Sequence, residues 1–308
     1  MSPEEFHGIA AALGRTAVGA RRLAGGFSHE TCLLTLADGE VVVRLGGTDP
    51  AIEAAVMATA RAYVPVPRVL LVRPAADGTR PAMVLEHVSG TPLSEVLAAE
   101  DAAALGDLGA EVGRVVAGIG AVTFGCPGFF TDEHLTVRPE APWSRQLPEI
   151  AATCLDATPD ARLDPATRQA WLELCTAHAP ALTAVDGHAR LVHADINPKN
   201  LLVTLAPGGW RVDAVLDWEF GYSGCTYGDA ANMVRFGAGH PARFVDGFQS
   251  AFAEHPPAGL EPTADWAYLG HVLDMFALSD LLTRPAGHPI ADQAADQVRR
   301  WVAEGVPR

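Results

Sequence analysis

The chain has 308 residues, 49% hydrophobic and 19% charged, a globular composition with core enough for one large domain or two moderate ones. A formal net charge of −15, from 37 acids against 22 bases, argues against a nucleic-acid partner and favours a cationic small molecule. Apolar runs are short and broken by Gly, Pro or charge, so no membrane span fits.

The opening "MSPEEFHGIAAALG" places acids before its apolar run and lacks a basic stretch, which implies a cytoplasmic protein without a signal peptide. Apolar spacing predicts a short helix over residues 3 to 13. "RRLAGGFSHETCLLTLADGEVVVRLGG" then reads as strands, with the two apolar stretches joined by Asp38-Gly39. "DPAIEAAVMATARAYV" is a helix opened by Asp49-Pro50, and "VPVPRVLLVRP" with "RPAMVLEHV" is a second strand pair. Residues 92 to 120 predict one long helix weakened by glycines. Helices are also expected over 164 to 180, 229 to 255, 263 to 283 and 290 to 304, with one interruption near residue 200. The five cysteines are scattered without a C-x-x-C pair, so neither a disulfide framework nor a zinc site is expected.

The interruption is "LVHADINPKNLLV", which holds the one lysine of the chain, Lys199. His193, Asp195 and Asn200 fit the spacing H-x-D-x-x-x-x-N, in which the Asp takes the proton of an attacking hydroxyl and the Asn binds Mg²⁺. "LLVTL", "APGG" and "WRVDAVL" follow as a hairpin. With Gly208-Gly209 as a two-residue turn, Asn200 falls opposite Asp217; a longer turn would slip this by a residue or two. An amide oxygen and a carboxylate at one end of a hairpin are the hard ligands that Mg²⁺ prefers.

Together with "VLDWEFGYSGCTYGDAANMV", this stretch resembles the aminoglycoside phosphotransferase family, and the resemblance spans almost the whole chain. It implies an α+β, two-lobed, protein-kinase-like fold: residues 1–88 a small nucleotide-binding sheet lobe with one main helix, residues 89–308 a larger helical lobe for catalysis and acceptor binding. By the family pattern Asp195 is catalytic, Asn200 and Asp217 are metal ligands, and His193 and Asp229 support the catalytic loop. The family usually has Gly at Ala194, and Asp-Pro at Cys225-Thr226. A phosphate-contacting base on the third strand must be Arg44, with Glu53 as its partner acid on the next helix. Gly26 and Ser28 belong to a phosphate-covering loop that runs to His29, and Glu86 and Val88 to the hinge that would bind the base of ATP or GTP. Lys199 is expected to be a solvated turn residue.

For the acceptor, Glu219, Glu261, Asp265, Asp274 and Asp280 are candidate acids, and Trp143, Trp266 and Tyr268 offer ring faces. The expected activity is transfer of the γ-phosphoryl of a Mg²⁺-nucleotide to a hydroxyl of a cationic antibiotic, an aminoglycoside or a tuberactinomycin-type basic peptide. The expected assembly is a monomer or homodimer. A choline- or homoserine-kinase-like metabolite kinase is the alternative. A nucleotide-binding pseudokinase is disfavoured because Asp195, Asn200 and Asp217 are all present.

Overall fold

The computed structural model describes residues 2–23, 29–47, 49–76, 79–99, 105–260 and 263–308. Its first part is a five-stranded antiparallel sheet of β1 (Ala17–Arg22), β2 (Glu30–Leu36), β3 (Gly39–Leu45), β4 (Val69–Arg73) and β5 (Ala82–Glu86), in the order β1-β2-β3-β5-β4. The two-residue period of β3 sends Val41, Val43 and Leu45 into a small core with Ile9 of α1 (Pro3–Ala12). Val42 takes the other face and packs on the main core, and Arg44 shares that face, toward α2 (Ala51–Ala60). Asp49 caps α2 by accepting the Ala51 amide at 3.0 Å. Leu36 pairs with Gly39, so Ala37 and Asp38 make the turn, one residue earlier than expected.

The second part is helical: α3 (Leu93–Ala99), α4 (Leu105–Ile119), α5 (Trp143–Ala157), α6 (Pro165–His178), α7 (Tyr227–Val234), α8 (Ala242–Glu254), α9 (Trp266–Leu282) and α10 (Pro289–Glu304). The expected helix over 92–120 is thus two helices, α3 and α4. The one expected over 229–255 divides at His240-Pro241, where the proline cannot continue a helix. Pro148 inside α5 conceals that helix from a pattern reading. The glycines of α4 serve packing: a Cβ on Gly109 or Gly113 would collide with the carbonyl oxygen of Phe244 or Phe248 in α8. Spaced four apart, they form one face on which two helix backbones touch.

Short strands carry the site between these helices. β6 (Thr91–Pro92), β10 (Leu201–Ala206) and β11 (Gly209–Val215) form one sheet, ordered β11-β10-β6. β7 (Gly128–Phe130), β8 (Val137–Pro139), β9 (Arg190–Val192) and β12 (Tyr222–Gly224) form another, ordered β8-β7-β12-β9. The β7–β8 pair is a second interruption of the helical part, where the sequence pattern predicts one. A continuous apolar core joins Val56 of α2 to the helices as far as Val298 and Trp301 of α10. Among the described residues no helix is long and apolar enough to cross a membrane. The five cysteines are free thiols.

Candidate active site

Two loops meet at the cleft: residues 193–200 between β9 and β10, and 216–221 between β11 and β12. The β10–β11 hairpin joins their ends, since Leu201 pairs with Val215 and the Leu216 amide donates to the Asn200 carbonyl at 2.8 Å. The register differs by one from the Gly208-Gly209 expectation. Ala206 pairs with Gly209, so Pro207 and Gly208 form the turn, and a bulge at Asp213 shifts the ladder again. Asn200 therefore sits opposite Leu216, beside Asp217 rather than facing it.

Helix α7 fixes the first loop. Asp229, fully buried, accepts the amides of His193 at 2.8 Å and Ala194 at 2.9 Å. Asn232, one turn on, donates to the Ala194 carbonyl at 2.9 Å. Ala194 is thereby held at φ +68°, a left-handed conformation that glycine adopts without strain. Burial pushes the Asp229 carboxyl up to about 7, against the two amide bonds that favour its charged form.

His193 ties the loops to each other. Its Nδ1 accepts the Asp195 amide at 3.2 Å, which leaves the proton on Nε2 to donate to the Leu216 carbonyl at 2.9 Å. Burial lowers its pKa to about 4, so the ring is neutral. The ring thus bonds the backbone of both loops.

Asp195 receives two side-chain amides: Asn197 Nδ2 reaches its Oδ1 at 3.2 Å, and Asn200 Nδ2 its Oδ2 at 3.0 Å. Both amides also donate to the Asp195 carbonyl, at 3.0 Å and 2.8 Å. Burial and the neighbouring Asp217 raise the Asp195 pKa, against Arg235 and the two amides. With its nitrogen turned to Asp195, Asn200 offers Oδ1 to any cation.

Asp217, at φ +67°, gives Oδ1 to Arg44 Nη2 at 2.8 Å and keeps Oδ2. Arg44 is buried and reaches four groups of the cleft. Besides Asp217, it donates through Nη1 to Glu53 Oε1 and through Nη2 to His29 Nδ1 at 3.0 Å, with Glu219 close enough to favour its charge. Burial works against the guanidinium, but Glu53 and Asp217 outweigh it and raise its pKa. The same Glu53 oxygen accepts the Trp218 amide at 3.1 Å, so Glu53 braces both Arg44 and the turn after Asp217.

The remaining expected residues distribute unevenly. Gly26, Ser28 and Glu261 lie outside the described residues. Glu86 ends β5 and Val88 follows it, between the sheet and the helices, while the Glu86 side chain accepts the Arg68 amide at 2.7 Å. Lys199 is exposed in its turn, as expected. The acceptor acids fare differently. Glu219 lies 3.8 Å from His29 Nδ1. Asp274 is buried and closed by Arg235, whose Nε and Nη2 bond it at 2.6–3.0 Å. Asp265 is exposed at the start of α9, nine residues and about 13 Å along the helix from Asp274. Asp280 is exposed and pairs with Arg284. Asn197, Asn232 and Arg235 belong to this network and escaped the motif reading, and His29, named only as a loop residue, bonds Arg44. A polar residue three positions after Asp229 on a helix was the available signal for Asn232.

Asp217, Glu53 and Glu219 gather about Arg44, Asp195 lies beside Asp217, and Arg235 is already paired, so the site is short of positive charge. Asn200 Oδ1 and Asp217 Oδ2 are hard oxygen donors and fit Mg²⁺. Among the described residues no cluster of three or more His, Cys, Asp or Glu could hold a metal alone. Mg²⁺ bound through one or two protein ligands plus substrate phosphates needs none.

A two-lobed arrangement, with a sheet against helices and this loop pair in the cleft, defines a kinase-like phosphotransferase. The model of the phosphotransferase enzyme family matches residues 19–266, and the chain belongs to that family. No curated sequence matches the chain. Among solved structures it is similar to a thermostable mutant of aminoglycoside phosphotransferase APH(4)-Ia, in ternary complex with ADP and hygromycin B. The two share 18% identity with a TM-score of 0.71 over 100% of both chains. An aminoglycoside 2'-phosphotransferase-IIIa mutant in its GDP complex is 15% identical, with a TM-score of 0.64 over 94% of this chain and 89% of that one. The expected protein-kinase-like fold is the one observed.

Proposed function

We propose that this phosphotransferase moves the γ-phosphoryl of Mg²⁺-bound ATP or GTP to a hydroxyl of a small-molecule acceptor. The observation that carries this reading is the joining of Asp195 to Asn200 at 3.0 Å, with Asp217 adjacent across the hairpin and bonded to Arg44. Asp195 takes the proton of the attacking hydroxyl, and its burial beside Asp217 makes it a stronger base than a solvated aspartate. Asn200 and Asp217 hold the metal, which when bound neutralises charge on the phosphates. Arg44, held by Glu53, orients the nucleotide against Asp217. His193 and Asp229 keep the catalytic loop in place.

Residues 1–88 serve the nucleotide, with Gly26 and Ser28 over the phosphates and the Glu86 and Val88 backbone at the base. Residues 89–308 serve the acceptor. A cationic antibiotic as acceptor is supported by the net charge of −15 and by the hygromycin B complexes of the APH(4)-Ia relatives. A small amine alcohol fits the same chemistry. The test is coupled nucleotide turnover across aminoglycosides, basic peptide antibiotics, macrolides and choline-like amines. The reading requires turnover that depends on an acceptor and is lost in Asp195→Ala; activity surviving that change would sink it.

A further inference from the structure

The Nη2 nitrogen of Arg44 has no hydrogen to spare. It carries two N–H groups. One bonds Asp217 Oδ1 at 2.8 Å and the other His29 Nδ1 at 3.0 Å, while Nη1 is held by Glu53. A guanidinium only donates, so Nδ1 of His29 is the acceptor and carries no proton. Burial and the Arg44 charge lower the His29 pKa, in agreement with a neutral ring. Glu219 Oε2, 3.8 Å from the same nitrogen, is too far to hydrogen-bond it.

The local fold holds this ring on Arg44. Thr31 of β2 stands opposite Arg44 of β3, and His29 lies two residues before it, where the expected phosphate-covering loop ends. The His29 side chain is only 9% exposed. Its Nε2 edge packs on Gly47, at φ +78°, where a Cβ would collide with the imidazole. The three acceptors on Arg44 are nevertheless unequal. Glu53 and Asp217 are carboxylates, whose bonds to a guanidinium are about twice as strong as one to a neutral group. A phosphate oxygen that reaches Nη2 must displace one of its two acceptors, and His29 is the weaker.

We propose that His29 is a stand-in for a nucleotide phosphate. Its Nδ1 sits at the position on Arg44 Nη2 that a phosphate oxygen takes, and it leaves that nitrogen when a Mg²⁺-nucleotide binds. This inference rests on the phosphotransfer reading and deepens it: nucleotide affinity is set by competition with a residue of the chain as well as by attraction to Arg44.

The test is calorimetric titration of the full chain and its His29→Leu, His29→Ala and His29→Asn variants with Mg²⁺-AMP-PNP and, separately, with adenosine. Leucine and alanine remove the acceptor, one keeping bulk over Gly47 and the other not. Asparagine returns an amide oxygen near the Nδ1 position. The leucine and alanine variants should bind Mg²⁺-AMP-PNP about two- to tenfold more tightly, the worth of one neutral hydrogen bond, and His29→Asn should return toward the parental affinity. Adenosine has no phosphate, so its affinity should be the same in all four proteins. A residue that merely supports the fold would weaken both ligands when replaced. Unchanged or weaker Mg²⁺-AMP-PNP binding in whichever of the leucine and alanine variants unfolds at the parental temperature overturns the stand-in. So does an equal gain for adenosine, or a failure of all four proteins to bind Mg²⁺-AMP-PNP. Failure of the phosphotransfer reading has a different signature: acceptor-dependent nucleotide turnover that persists in Asp195→Ala, whatever the His29 variants do.

Discussion

Glu53 offers a sharp test of how the cleft is held together, because one of its oxygens does two jobs. Oε1 accepts both from Arg44 Nη1 and from the Trp218 amide at 3.1 Å, and the side chain is buried. Glu53→Ala leaves the buried guanidinium with Asp217 as its remaining carboxylate bond and leaves the Trp218 amide without an acceptor. Breaking a buried pair from one side costs about 3–5 kcal/mol, much of it the uncompensated charge. Glu53→Gln keeps an oxygen in the same place and removes only the charge. A hydrogen bond to a charged group contributes about 1.5–3 kcal/mol and a neutral one about 0.5–1.5, so this variant should lose about 1–1.5 kcal/mol. Urea unfolding of the three proteins, with calorimetric titration of Mg²⁺-ATP, reads both stability and site integrity. Nucleotide affinity should fall in the same order as stability. Equal losses in the two variants, or an alanine variant as stable as the parent, would refute the double role.

Other substitutions probe the catalytic loop and its supports. Ala194→Gly removes a left-handed strain of about 1–2 kcal/mol and adds about 0.5–1 kcal/mol of chain entropy, so it should raise the melting temperature slightly, whereas Ala194→Val should lower it clearly. Gly109→Ala, which by propensity alone would favour the helix by about 1 kcal/mol, should instead destabilise, because the new Cβ meets the Phe244 carbonyl; thermal unfolding decides the sign. The buried His193 stays neutral down to about 4 while the unfolded chain protonates near 6.5, so the histidine weakens the fold as pH falls through that window. Asp229 works in the opposite sense, since the native state takes its proton near 7 and the unfolded chain near 3.8. His193→Gln leaves the Asp229 contribution alone, so stability of the variant relative to the parent should improve by about 3 kcal/mol between pH 6.5 and 4. A flat difference across urea titrations at those pH values would contradict the neutral assignment.

The parts of the site that were legible in the sequence are those written in local spacing. His193, Asp195 and Asn200 lie within eight residues, and a two-strand hairpin carries Asp217 back to them whichever turn closes it. The bulge at Asp213 altered the register without separating the ends, so the expectation tolerated its own error of one residue. Arg44 and Glu53 were legible because the family pattern asks for a base on the third strand and an acid on the next helix, and each segment holds one. Partners of acids are less legible: a carboxylate on an apolar helix, such as Asp274, signals a partner but not which one. Asp274 pairs with Arg235, at the end of another helix, and Glu219 lies near His29. The glycines of α4 looked like a weakness because helix propensity is local, whereas the approach of α8 is tertiary. The contact of Phe129 with Tyr222 was hidden for the same reason, since it arises from the order β8-β7-β12-β9, which no sequence period encodes.

The central claim is that Asp195 performs the chemistry in a cleft whose nucleotide site is built by other residues. The direct measurement is single-turnover phosphoryl transfer from Mg²⁺-ATP, beside calorimetric nucleotide affinity, for the parent and Asp195→Ala. The account predicts transfer slowed by about 10²–10⁴-fold, the usual weight of a positioned general base, with nucleotide affinity changed little. Transfer at the parental rate, or loss of nucleotide binding as the whole effect, would contradict it.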